Sequence, residues 1–200
     1  MTPVGTLRRR LRAARAALAP VVRRRHALAL ARSLGKQTVF LRACRVGAYW
    51  GTKGEIDPFP LLQLPHTRHK RCFLPVLRPH PHQRLWFLEY RPGDPLANNR
   101  FGIPEPRLRN RRIRLPCALD LLLVPLVGFD AQCNRLGMGG GYYDYTLAYL
   151  RRRRHWRRPR LIGITHECQQ VEALTPNPWD VPLDMIVTEA HIYSRKNSQL

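Results

Sequence analysis

Residues 134–144 read Asn-Arg-Leu-Gly-Met-Gly-Gly-Gly-Tyr-Tyr-Asp, and four glycines in five positions restrict the fold here more than any other stretch of the chain does. Ahead of them, Leu121 to Val127 is a short apolar run of the kind that fills a central strand. Behind them, Tyr143, Leu147 and Leu150 recur at helical spacing. A strand that feeds a glycine loop at a helix N-terminus gathers free backbone N–H groups and the positive end of the helix dipole at one point. No Cβ there blocks the approach of phosphate. The pattern predicts an anion cradle, with Arg135 as a bidentate phosphate donor at its entrance and Asp144 as a hard oxygen ligand for Mg²⁺ at its exit. The plain alternative is a glycine-rich turn without a ligand, although three successive glycines carry an entropic cost that a simple turn does not require. Known glycine loops do not fit: the third glycine of a dinucleotide fingerprint would fall on Tyr142, and no Gly-Lys-Ser/Thr follows.

The remaining periodicities predict an α/β domain. Leu7, Leu11, Ala14, Leu18 and Val21 form one apolar stripe of a helix whose other face is arginine. Pro20 interrupts it and opens a second helix that ends near Gly35 with Leu28, Ala31 and Leu34 inward. These basic helices cover residues 5–35 approximately. Strand patterns follow at Val46 to Trp50, Phe73 to Leu77 and Leu85 to Tyr90, the last two separated by a Pro-His-Pro-His turn at residues 79–82. A short helix over Leu61 and Leu62 starts at Asp57-Pro58, and Pro92, Pro95, Pro104 and Pro106 mark a long irregular passage. Strands at Leu119 to Val127, at Arg160 to Thr165 and last at Ile186 to Thr188 complete a three-layer arrangement: a mainly parallel central sheet flanked by helices. Ligands in such sheets gather at the carboxyl ends of strands, where the glycine loop is expected. Residues 1–200 are read as one domain with a short tail from about residue 194.

Thirty-five Lys and Arg against 13 Asp and Glu give a net charge of +22, with no acid before Glu55. Such a balance favours phosphate-bearing partners. The runs at Arg8 to Arg10, Arg23 to Arg25 and Arg151 to Arg154 lie on different helices and lack interleaved aromatics, so they read as solvated faces with non-specific nucleic-acid affinity at most. Five cysteines without a C-x-x-C pair fit reduced thiols in a cytoplasmic protein. His66, His69 and Cys72 lack a fourth ligand for zinc and read as an exposed loop. Asp120 and Pro125 interrupt the best membrane-span candidate, and Arg15 interrupts any signal-peptide core.

The block from Val127-Gly128-Phe129-Asp130 through Asn134-Arg135-Leu136-Gly137 to Gly141-Tyr142-Tyr143-Asp144 closely resembles the signature of the 5-formyltetrahydrofolate cyclo-ligase family. Gly54-Glu55-Ile56-Asp57 resembles the family's folate segment and Phe101 to Pro106 its central loop. Gln169 with Trp179 to Asp184 resembles its C-terminal elements, so the likeness runs in order from about residue 7 to residue 193.

The resemblance implies a monomeric, ATP- and Mg²⁺-dependent ligase of one-carbon metabolism. Its expected reaction converts 5-formyltetrahydrofolate, with or without a polyglutamate tail, to 5,10-methenyltetrahydrofolate, ADP and phosphate through a phosphorylated formyl intermediate. By the same resemblance, Arg8, Arg135, Leu136, Gly137, Met138, Gly139, Gly140, Gly141, Tyr142 and Tyr143 would hold ATP. Glu55, Gly139, Gly140, Gly141, Tyr142 and Tyr143 would hold the folate, Arg135 and Tyr143 would act in catalysis, and Asp144 with Asp180 would serve the metal, Asp184 being the alternative to Asp180. Helix-start acids and core tyrosines are the plain alternatives for these groups. The family's opening lysine is replaced by Val4, four residues before Arg8, and Met138 and Gly140 stand where some relatives carry basic residues. Two other readings therefore stand beside the enzyme: a basic nucleic-acid-binding protein, and a weakened relative that binds folate with little turnover.

Overall fold

The structure is a computed structural model that describes residues 4–79, 83–107, 113–152 and 158–195. Its elements begin with α1 (Val4–Ala16), α2 (Pro20–Leu34) and α3 (Thr38–Leu41). Proline opens α2 because the first helical turn needs no N–H there, and the Gly35 N–H closes it on the Ala31 carbonyl. The expected stripe is revised in detail. Leu11 and Arg15 are the buried residues of α1, Val21 is 74% exposed, and α2 buries Ala27, Leu30, Ala31 and Leu34 but not Leu28.

Then follow β1 (Arg45–Gly47), α4 (Phe59–Leu62), β2 (Arg71–Leu77), β3 (Leu85–Tyr90), β4 (Leu96–Asn98), β5 (Pro104–Pro106), β6 (Leu121–Pro125), β7 (Gly128–Phe129) and β8 (Arg135–Leu136). The chain continues through α5 (Tyr142–Leu147), a 3-10 turn over Ala148–Arg152, β9 (Arg160–Ile164), β10 (Met185–Val187) and β11 (Ile192–Ser194). Seven strands form the central sheet in the order β11-β10-β9-β6-β1-β2-β3. The five inner strands run parallel, and only the edge strands β3 and β11 are antiparallel to their neighbours.

Three layers follow from alternation along the inner strands. Leu121 and Leu123 face a cluster with Leu30, Leu34, Phe40 and Leu61. Leu122 and Val124 face the opposite one, with Leu147 and Leu150 from α5 and the turn after it. The α/β fold and its mainly parallel sheet are as the sequence predicts.

Four local expectations are corrected. The proline-rich passage contains the β4–β5 hairpin, whose prolines Pro104 and Pro106 sit on a strand of a two-stranded ribbon. The β7–β8 hairpin stands between β6 and the glycine loop, so the central strand does not feed the loop directly. β11 follows the strand expected to be last. Arg151 lies in a 3-10 turn rather than at an α-helix end. Residues 80–82 of the Pro-His-Pro-His turn, Arg153 and Arg154 of the last arginine run, and residues 196–200 of the tail lie outside the described residues.

Asp120 shows how the basic chain uses its few acids to hold the sheet. Its carboxylate accepts hydrogen bonds from the Cys44 and Arg45 backbone N–H groups at 3.1 and 2.8 Å and from the side chains of Arg45 and Arg158. Burial alone would raise its pKa, but these donors outweigh it and hold the group below the usual aspartate range. Because the folded-state pKa is lowered, the stabilisation is complete above the unfolded-state value of about 3.9 and is lost as pH falls through the folded value. Asp120→Asn is expected to cost about 1.5–3 kcal/mol at neutral pH, the scale of hydrogen bonds to a charged group. Thermal melts across pH should show the gap to the wild type closing in acid.

Candidate functional site

Asp130 positions the glycine loop from below. It is 1% exposed, and its carboxylate accepts from the backbone N–H groups of Gln132, Asn134 and Leu174 at 3.0 Å each and from Asn134 Nδ2 at 2.9 Å. These bonds fix the β7–β8 turn and set the direction in which Arg135 enters the loop.

Gly139 and Gly141 then adopt φ of +97° and +67°, the left-handed region that glycine enters without steric cost. A Cβ on Gly141 would stand 2.9 Å from the Tyr145 ring. Arg8 reaches across from α1 and donates from Nε to the Gly137 carbonyl at 2.9 Å, with its guanidinium 3.7–4.0 Å from where a Gly139 Cβ would be. The loop and the N-terminal helix thus form one surface, with Arg8 joining them. Since α5 spans only six residues, the positive character here comes from Arg8, Arg135 and the loop amides more than from a helix dipole.

The two tyrosines separate into different roles. Tyr142 hydrogen-bonds Arg100 through its hydroxyl and meets the Phe101 ring edge-on at 5.9 Å, joining the central loop to the glycine loop. Tyr143 points inward, where burial first and the Glu55 charge second push its phenol well above the ordinary range, with Arg135 opposing. Glu55, Tyr143 and Arg135 therefore share one electrostatic environment.

Glu55 is fixed by its own turn: Oε2 accepts from Thr52 N at 3.1 Å and Thr52 Oγ1 at 3.3 Å, while Oε1 lies 3.6 Å from Arg15 Nη1. Burial raises its pKa, and the Thr52 N–H, Arg15 and the Thr52 hydroxyl pull it back. Arg15 is 1% exposed, and its Nε and Nη1 have no hydrogen-bond partner. Burial lowers its pKa and Glu55 opposes that shift. Tyr49 donates to the Ile56 carbonyl at 2.7 Å and so ties the Glu55 segment to the end of β1.

The metal-binding expectations divide. Asp144 Oδ1 pairs with Arg135 and accepts from Val181 N at 3.3 Å, so the segment carrying Asp180 does come to Asp144. The Asp180 carboxylate itself is engaged by Asn177 N at 2.7 Å and Asn177 Nδ2 at 3.2 Å, as a turn-former would be. Asp184 accepts from Leu161 N at 2.7 Å and from Arg160, which fastens it to the start of β9. His66 contacts the Gly35 carbonyl, and His66, His69 and Cys72 do not assemble as ligands. All five cysteines are free thiols. No helix among the described residues is long and apolar enough to cross a membrane.

Several residues in the family-like segments have architectural roles. Gln169 Nε2 donates to the Leu126 and Val127 carbonyls at 3.2 and 2.6 Å, and Glu105 accepts from Leu77 N and Asn99 Nδ2 at 3.2 Å each. The important residue that the sequence reading passes over is Arg15. Its signal is present: it stands four positions after Leu11, on the apolar stripe, where a charge must find a partner inside.

Comparison with known proteins shows the family and agrees with the fold. The family model of the 5-formyltetrahydrofolate cyclo-ligase family matches residues 3–189. The chain is 42% identical over 149 residues to a 5-formyltetrahydrofolate cyclo-ligase of Haemophilus influenzae, covering 73% of this chain and 76% of that one. It is 39% identical over 150 residues to the Escherichia coli K12 protein of the same name, covering 74% and 79%. Its fold is similar to the solution structure of Aquifex aeolicus 5,10-methenyltetrahydrofolate synthetase, with a TM-score of 0.80, 28% identity, and coverage of 98% of this chain and 95% of that one.

Proposed function

Since this chain belongs to the 5-formyltetrahydrofolate cyclo-ligase family, we propose that it closes 5-formyltetrahydrofolate to 5,10-methenyltetrahydrofolate at the expense of ATP, with Mg²⁺, on the surface shared by Arg8, the glycine loop and the Glu55 turn. The observation that carries the assignment of place is the Arg8 bond to Gly137 beside a loop held open at positive φ. It puts a guanidinium and Cβ-free amides at one point, on the helix whose Arg15 pairs with Glu55.

A formamide oxygen is a poor leaving group. In the proposed reaction that oxygen attacks the γ-phosphorus of ATP and ADP departs. The nitrogen at position 10 then attacks the formyl carbon, loses its proton, and phosphate leaves. Positioning and charge neutralisation suffice for such a transfer, and no side-chain nucleophile is required. Arg8, the loop N–H groups and Arg135 offset the phosphate charge, and Glu55 and Tyr143 orient the folate ring. Bound Mg²⁺ would neutralise charge between the β- and γ-phosphates. A single hard oxygen from the protein fits an ion that takes most of its ligands from phosphate and water, and Asp144 would supply it through Oδ2, Oδ1 being engaged by Arg135 and Val181. Asp180 supports this place through its turn.

The test is the absorbance of the methenyl product formed from 5-formyltetrahydrofolate, ATP and Mg²⁺. No signal above a heat-killed control overturns the reading. Val4 is 53% exposed and one helical turn before Arg8, on the helix that meets the loop. Val4→Lys is therefore expected to tighten apparent ATP affinity by about fivefold, the scale of one charge-assisted hydrogen bond of about 1 kcal/mol at a partly exposed site. The Michaelis constant for the folate should stay unchanged, and steady-state kinetics in both substrates separates the two.

A further inference from the structure

Behind the Glu55 turn, three side chains from distant parts of the chain meet. His26 of α2 places Nδ1 3.0 Å from His166 Nδ1 and 3.2 Å from Glu189 Oε1. The three donor atoms lie within 4.8 Å of one another, and among the described residues this is the one such group of His, Cys, Asp or Glu. We propose that His26, His166 and Glu189 form a binding site for a divalent first-row transition ion, zinc foremost, which fastens α2 to the turns after β9 and β10, with water as its fourth ligand. The inference does not depend on the ligase reading.

Geometry and orientation both point this way. Two nitrogens on a tetrahedral zinc, at about 2.0–2.1 Å each, stand roughly 3.3 Å apart, close to the spacing found. His166 is fully buried and its Nε2 lies 3.1 Å from the Gly54 carbonyl, an acceptor only, so that nitrogen carries the hydrogen and Nδ1 presents its lone pair to the cluster. Glu189 is oriented in the same manner: Oε2 accepts from Glu167 N at 3.1 Å, which leaves Oε1 for the ion. Such partners behind a ligand are what set ligand direction in metal sites. Two imidazoles and one carboxylate suit zinc and are a poor set for Mg²⁺.

The opposing term is charge. Arg15 and Arg23 act on His166 from the Gly54 side, so the Glu189 carboxylate is needed to offset them. Because Gly54 immediately precedes Glu55, an ion here would stiffen the turn that holds Glu55.

The experiment is a calorimetric titration of the EDTA-stripped full chain with Zn²⁺ alone, with Co²⁺ as the spectroscopic probe of a tetrahedral site. One zinc per chain is expected. His26→Gln and Glu189→Gln should each weaken binding at least about 100-fold, since even the orienting partners of metal ligands are worth about 10- to 100-fold. Zinc should also raise the melting temperature of the wild type and leave that of the double variant unmoved, which reads the site without requiring the variants to match in stability. Exposed Cys44 and Cys168 are the competing zinc donors. Zinc uptake by the double variant equal to that of the wild type, or no uptake by the wild type, overturns the proposal.

Discussion

Gly139→Val is expected to lower ATP-dependent turnover by at least about 100-fold, the scale of losing one preorganised electrostatic contact to a reacting group. Two effects coincide at this residue. Its φ of +97° lies where a β-branched residue is strained by about 1–3 kcal/mol, and its Cβ would arrive 3.7 Å from the Arg8 guanidinium carbon, with two further methyl groups beyond it. The loop would have to relax its amides away from the phosphates, or Arg8 would have to release Gly137. On the proposed reading either movement would damage nucleotide binding more than folate binding, because Glu55 is held by Thr52 and Tyr143 packs against the core. Gly93→Val is the control: Gly93 has φ of +91° with nothing within 4 Å of its Cβ position, so it carries the backbone strain without touching the site. Stability should fall comparably in both variants while turnover falls only at Gly139. Equal loss of ATP and folate affinity in Gly139→Val would mean that the loop misfolds, and equal turnover loss in the two variants would mean that strain alone explains the effect.

The legibility of the chain follows the range of the interactions involved. Inner strands were visible because they are buried on both faces and leave unbroken apolar runs such as Leu121 to Val124. The β7–β8 hairpin left no such trace. Its strands are two residues each, and its turn is held by one carboxylate, Asp130, whose four bonds include one to Leu174, forty-four positions away. β4 and β5 were hidden for a different reason, since proline cannot donate to a strand ladder and is a poor strand signal. In the site, Arg8 and the glycines were legible as a motif, and Arg8 does meet the loop. Arg15 was hidden by composition: in a chain with 35 basic residues, one arginine on the buried face looks like all the others. The His26, His166 and Glu189 group spans more than 160 positions and has no local spacing to betray it. Tertiary contacts between single residues are the part of a site that periodicity cannot encode.

In the proposed reaction Asp144 would link the cation to Arg135, and Asp144→Asn is expected to reduce turnover at least about 100-fold. The substitution keeps size and leaves an oxygen for Val181 N, so the fold should survive. What it removes is the negative charge, which in this site has two uses. One is the hard ligand proposed for Mg²⁺. The other is visible in the ion pair of Asp144 with Arg135 Nη2, on a side chain that is 5% exposed and whose Nε has no hydrogen-bond partner among the described residues. Removing the carboxylate from a guanidinium so enclosed is costly. The two uses predict different kinetics. If Oδ2 ligates the ion, raising Mg²⁺ restores part of the lost rate, because a weakened site can still be filled by mass action. If the carboxylate only holds Arg135, the loss is the same at every Mg²⁺ concentration, and adding Arg135→Gln to Asp144→Asn costs nothing more, since both changes break one unit. With Oδ1 engaged by both Arg135 and Val181 N, partial rescue by Mg²⁺ together with strong non-additivity is the expected result. Full activity in Asp144→Asn would remove Asp144 from the site and leave it as a residue of the first turn of α5.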